Sequence, residues 1–163
     1  MNVTTATVSS FTLTSTNVAI GQNAGITNQG TVGTIAIGQQ AGQVGQNNLS
    51  IAVGYQAAQT GQNTQSIAIG GVAGQTAQAT QAVAIGHASG STNQGASSVA
   101  VGAFAGGTSQ GTYTTAVGAS AGSSAQGLGG VAVGYTAGLS AQGQQAVAVG
   151  YQAGYSSATS SNL

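Results

Sequence analysis

Ile67-Ala68-Ile69-Gly70, Val83-Ala84-Ile85-Gly86 and Val99-Ala100-Val101-Gly102 are one tetrapeptide written three times at a spacing of sixteen residues. In both directions from there the same [IVT]-Ala-[IV]-Gly unit returns, nine times in all, ending on Gly21, Gly38, Gly54, Gly70, Gly86, Gly102, Gly118, Gly134 and Gly150. The first interval is 17 residues and the other seven are 16. A short fixed period means one supersecondary unit stacked on itself, so most residues answer to the repeat and not to a unique site. Two β-branched residues around one small residue make a short strand, with the flanking pair on one face and the middle residue on the other. Nine such strands in phase predict an all-β fold. It is a parallel β-solenoid, or β-roll, of about nine 16-residue coils over residues 18–154. At ~4.8 Å per coil the rod is on the order of 40 Å long.

Counting from each tetrapeptide glycine as position zero, the middle residue at −2 is Ala in all nine units: Ala19, Ala36, Ala52, Ala68, Ala84, Ala100, Ala116, Ala132 and Ala148. A water-facing column would accept the Gln, Ser and Thr used freely elsewhere in the chain. The unbroken Ala column is therefore expected to be an inter-chain interface. The alternative is that the Ala residues fill a narrow coil interior and the Val/Ile pairs face a partner. Position +8 is Gln in every complete unit: Gln29, Gln46, Gln62, Gln78, Gln94, Gln110, Gln126 and Gln142. Amides stacked one per coil predict a side-chain hydrogen-bond ladder. Position +6 is Thr, Ser or Val throughout and suits a second short strand. Position +3 is Ala except for Ser89, and +4 is Gly except for Ala58, which suits a tight corner.

The chain of 163 residues contains no Lys, Arg, Asp or Glu. Nucleic-acid binding takes its affinity from basic side chains on phosphates, so that class is excluded. Metal sites need clusters of His, Cys or carboxylates, and the inventory is one His and no Cys. No cofactor is expected, and general acid–base catalysis has only His87, with no acidic partner, so the chain is not expected to be an enzyme. No apolar run approaches the ~18 residues of a membrane-spanning helix, so no membrane insertion is expected. Zero charge removes the repulsion that keeps proteins apart, and self-association is the expected partner relation.

Residues 1–17 depart from the repeat. Val8, Phe11 and Leu13 alternate with polar residues as a strand would. This segment is expected to be an N-terminal cap or an assembly arm making end-to-end contact with the next copy. Residues 155–163 form a C-terminal tail. The start of the chain lacks a basic, then apolar, secretory signal. His87 lies in the variable +1 column, where it reads as an exposed loop side chain. Two sequons, Asn2-Val3-Thr4 and Asn48-Leu49-Ser50, read as chance matches.

Gln65-Ser66-Ile67-Ala68-Ile69-Gly70, Ser97-Ser98-Val99-Ala100-Val101-Gly102 and Gln145-Ala146-Val147-Ala148-Val149-Gly150 resemble the head repeat of trimeric autotransporter adhesins. The likeness covers residues 17–154. It implies a left-handed parallel β-roll with three chains side by side, a homotrimer with the strands toward the trimer interior. The Ala-Ile-Gly-x-x-Ala-Gly form with a Gln-Gly turn is closer in style to fibre-like repeat proteins of large DNA viruses and phages. Those adhesins carry a signal peptide, a coiled-coil stalk and a membrane anchor that this chain does not show, and their heads have charged loops.

The expected function is a structural subunit of a self-assembling surface fibre or extracellular filament, in an extracellular or virion-surface setting. Copies lie side by side and stack head to tail. One alternative is an adhesin head binding a host protein or glycan through the variable columns. A lesser one is an ice-binding solenoid, for which only the interrupted +6 file offers threonines.

Overall fold

The computed structural model describes residues 16–156. All sixteen elements in that span are three-residue strands, and the described residues contain no helix. Nine strands form a first parallel sheet. They are β1 (Val18–Ile20), β2 (Ile35–Ile37), β4 (Ile51–Val53), β6 (Ile67–Ile69), β8 (Val83–Ile85), β10 (Val99–Val101), β12 (Thr115–Val117), β14 (Val131–Val133) and β16 (Val147–Val149). Seven form a second: β3 (Val44–Gln46), β5 (Thr60–Gln62), β7 (Thr76–Gln78), β9 (Thr92–Gln94), β11 (Thr108–Gln110), β13 (Ser124–Gln126) and β15 (Ser140–Gln142). The chain alternates between the two sheets, so it winds as a solenoid of about eight turns. That is one fewer than the nine tetrapeptides suggest, because nine strands bound eight intervals.

Register follows the repeat. Ile67, Ala68 and Ile69 lie over Ile51, Ala52 and Val53 on one side and under Val83, Ala84 and Ile85 on the other. The corners are bonded as regularly as the strands. Around one coil, Gly70 N–H donates to Val53 O at 2.8 Å, Val72 N–H to Tyr55 O at 2.8 Å, Gly74 N–H to Ser89 O at 2.8 Å and Gln81 N–H to Thr64 O at 3.1 Å. Backbone groups at turns thus find partners in the coils above and below, which is what a fold without a thick core requires.

Five residues per coil take positive φ. In the coil that starts at Gly70 they are Gly70 (129°), Val72 (52°), Gly74 (51°), Ala77 (56°) and Gln81 (60°). The glycines at position zero have a second reason to be glycine. A Cβ on Gly86 would sit 2.7 Å from the Gly102 carbonyl oxygen, so these glycines stack backbone on backbone up one edge. The positive φ at +7 also reverses the alternation within the second sheet. Thr76 points outward while Gln78, two residues on, is fully buried.

The interior is thin. Its columns are Ala at −2, Ala at +3, Ser, Thr, Ala or Gly at −4, and Gln at +8. The two walls nearly touch, since a Cβ on Gly74 would lie 3.2 Å from the Ala68 Cβ and 2.8 Å from Gln78 Oε1. No residue larger than Gln is fully buried in this space. The side chains that would normally make a core, Val and Ile, are on the outside.

Candidate functional site

This inversion places the Ala column. Ala36, Ala52, Ala68, Ala84, Ala100, Ala116, Ala132 and Ala148 are 0–2% exposed within a single chain. The expectation that they form an inter-chain interface is corrected: they are walled in by their own coil. Ala19, in the outermost strand, is exposed, since no coil closes beneath it among the described residues. The physical reason is width. A coil with walls this close accepts a methyl group and rejects an isopropyl or sec-butyl group, so the pleat turns its larger residues out.

The outward face of the first sheet is consequently a ribbon two side chains wide and nine strands high. Seventeen of its eighteen positions are Val or Ile, and Thr115 is the exception. Twelve are half-buried and six are exposed, the latter from Ile37 at 37% to Val149 at 64%. With nine strands at ~4.8 Å the ribbon runs on the order of 40 Å. The strip is contiguous and apolar along its whole length. The whole chain carries no charged side chain to blunt it.

The Gln column lies inside the coil and ties the two sheets together. Gln78 Nε2 donates to Ile67 O at 2.7 Å on the opposite wall and to Ala82 O at 3.1 Å where the next coil begins. Gln46, Gln62, Gln94, Gln110, Gln126 and Gln142 make the same reach across the coil to Ile35, Ile51, Val83, Val99, Thr115 and Val131. Amide-to-amide bonds join Gln62 to Gln78, Gln78 to Gln94 and Gln110 to Gln126 at 3.1–3.2 Å. Elsewhere the column is held to backbone carbonyls instead. The Oε1 atoms of Gln29, Gln46, Gln62, Gln110 and Gln142 are buried without a donor among the described residues. Gln29 sits beside the 17-residue interval and turns to Thr27 O and Gly42 O.

Outer columns repeat the pattern more loosely. Gln56 bonds Gln40 at 2.9 Å, Asn47 bonds Asn63 at 3.2 Å, and Gln39 bonds Gln22 at 3.2 Å. Tyr135 stacks on Tyr151 at 5.5 Å, and His87 meets Phe104 edge to face at 5.4 Å. These pairs follow from like residues recurring at a spacing of sixteen or seventeen, a signal present in the sequence. His87 is exposed, and its ring contact is with Phe104. The Asn48 sequon is engaged internally: Asn48 Oδ1 accepts from Val32 N–H at 3.2 Å, and Ser50 is buried with its hydroxyl donating to Asn47 O.

Val8, Phe11 and Leu13, the expected end-to-end contact, lie outside the described residues. Among the described residues no three His, Cys, Asp or Glu come together as a metal site, and no helix is long and apolar enough to cross a membrane. No protein-family model matches the chain, and neither the curated proteins nor the solved structures include one significantly similar to it.

Proposed function

We propose that this chain is a structural subunit that associates with copies of itself, side by side and end to end, into a surface fibre or extracellular filament. The observation that carries the reading is the outward Val/Ile ribbon. Its eighteen residues are all half-buried or exposed, and they form one continuous strip on the order of 40 Å long. Such an area of aliphatic surface favours burial, and a chain with no charge has no repulsion to oppose it. End-to-end stacking is supported by the free strand edges. β1 and β16 each pair on one side only among the described residues, and nothing lies within 4 Å of the position a Cβ on Gly150 would take. Edges are usually blunted by Lys or Pro, and the chain has neither.

The test replaces Ile69 and Ile85 with Glu. Both are on the ribbon and partly exposed, so the coil tolerates the change, while two carboxylates in a dry interface are costly. Sedimentation velocity is expected to show oligomers for the natural sequence and monomers for the double variant, with unchanged far-UV circular dichroism. A natural chain that stays monomeric at high concentration, or a variant of undiminished size, overturns the reading.

A further inference from the structure

The ribbon is graded in size along its length. Of the ten outward positions in the first five strands of the sheet, seven are Ile and three are Val. Of the eight in the last four strands, seven are Val, one is Thr115 and none is Ile. Resting on the self-assembly reading above, we infer that the ribbon's occupant is the ribbon of a second copy lying antiparallel, the two solenoid axes opposed, so that the chains associate in closed pairs.

Interfaces that hold pack as densely as protein interiors, so the thickness of apolar material should be even along the contact. Antiparallel overlap sets the Ile35/Ile37 layer against Val131/Val133. It sets Ile67/Ile69 against Val99/Val101, and Ile51/Val53 against Thr115/Val117, where Thr115 fills the volume of a Val. The central Val83/Ile85 layer meets its own copy. Every layer of the pair then holds one or two Ile. Parallel overlap puts two or four Ile in each of the first five layers and none in the last four. That wedge leaves voids at one end or crowding at the other. One isolated pair would close a wedge by tilting, but a stack of subunits cannot, because the tilt would repeat at every subunit. A cyclic trimer, the arrangement implied by the resemblance, is parallel and has the same wedge with three or six Ile per layer. A face-to-face antiparallel pair is isologous and closes after two chains.

Single-cysteine spin labels test this, since the chain has no Cys. The exposed positions His87 and Gln39 flank the ribbon in the fifth and second coils. A label at His87→Cys lies beside the two-fold axis and is expected to give a short distance between copies, which any in-register association also gives. A label at Gln39→Cys is expected to give about 30 Å, six coils of ~4.8 Å, because the second coil then faces the eighth. A short Gln39 distance overturns the antiparallel pairing and leaves self-assembly standing. A monomer, or no His87 distance, removes self-assembly itself. In a second measurement, I67V with I69V is expected to weaken association roughly tenfold. Adding V99I and V101I is expected to restore it, because the two strands share a layer. Failure of that restoration, with both proteins folded, also overturns the pairing.

Discussion

Val72 holds φ at 52°, a left-handed conformation that β-branched residues rarely adopt, and it is held there because its N–H donates to Tyr55 O at 2.8 Å. The same corner of the first coil carries Asn23 at 59°, where the residue type suits the backbone. Among the described residues 22 non-glycine residues have positive φ. Local strain is thus spread through the whole fold and offset by coil-to-coil hydrogen bonds. Val72→Asn is expected to stabilise the protein by about 1 kcal/mol, since it removes strain at one corner and keeps the N–H. The denaturant midpoint measures it, and a midpoint at or below that of the natural chain would show that the corner is not strained. At this scale the sequence was only half legible. Gly at zero and +4 announced two corners. Those at +2 and −5 did not announce themselves, because Val72, Phe104, Gln81 and Tyr113 occupy them as ordinary residues.

A strand here is three residues long and means nothing alone. What makes it an element is the Gln that reaches across to it. Period-two alternation showed that Val99 and Val101 share a face and that Ala100 takes the other. It did not say which face is inside. That is decided by the distance between walls, which depends on Gly106 and Gln110 folding back against Ala100, as Gly90 and Gln94 do against Ala84, and no strand carries that information in its own residues. Gln94 itself points inward only because Asn93 takes φ of 52°. The glycines at 45 and 61 and the asparagines at 28 and 93 were the available signal for this reversal. Removing one tie should expose its worth. Gln78→Leu keeps the volume but takes a donor from Ile67 O, Ala82 O and Gln94 Oε1 and an acceptor from Gln62 Nε2. It is expected to cost about 3 kcal/mol, read as a lowered thermal midpoint. A midpoint within a degree or so of the natural one would mean that the Gln column only fills space.

At the scale of the whole molecule the absence of charge governs behaviour. Association driven by aliphatic contact between uncharged bodies has nothing for salt to screen. Fibre length and oligomer size are expected to be unchanged between dilute buffer and ~1 M sodium chloride, by light scattering and electron microscopy. Dissociation on raising sodium chloride would mean that polar columns, and not the ribbon, hold the copies together. The sixteen-residue repeat made the solenoid and its parallel sheets legible; no short motif records how copies would meet, which in the pairing proposed above depends on where Ile gives way to Val. The repeat has one further consequence. Each strand pairs only with the strands one coil above and below and is tied across the interior within its own coil, so the coil is also a unit of inheritance. A duplication of sixteen codons adds a complete layer without disturbing any other, and a loss removes one cleanly. The single extra residue between Gly21 and Gly38 shows that even an imperfect copy is absorbed. Rod length can therefore drift between generations in steps of one coil, and lineages carrying this gene should differ from one another first in how many layers they count.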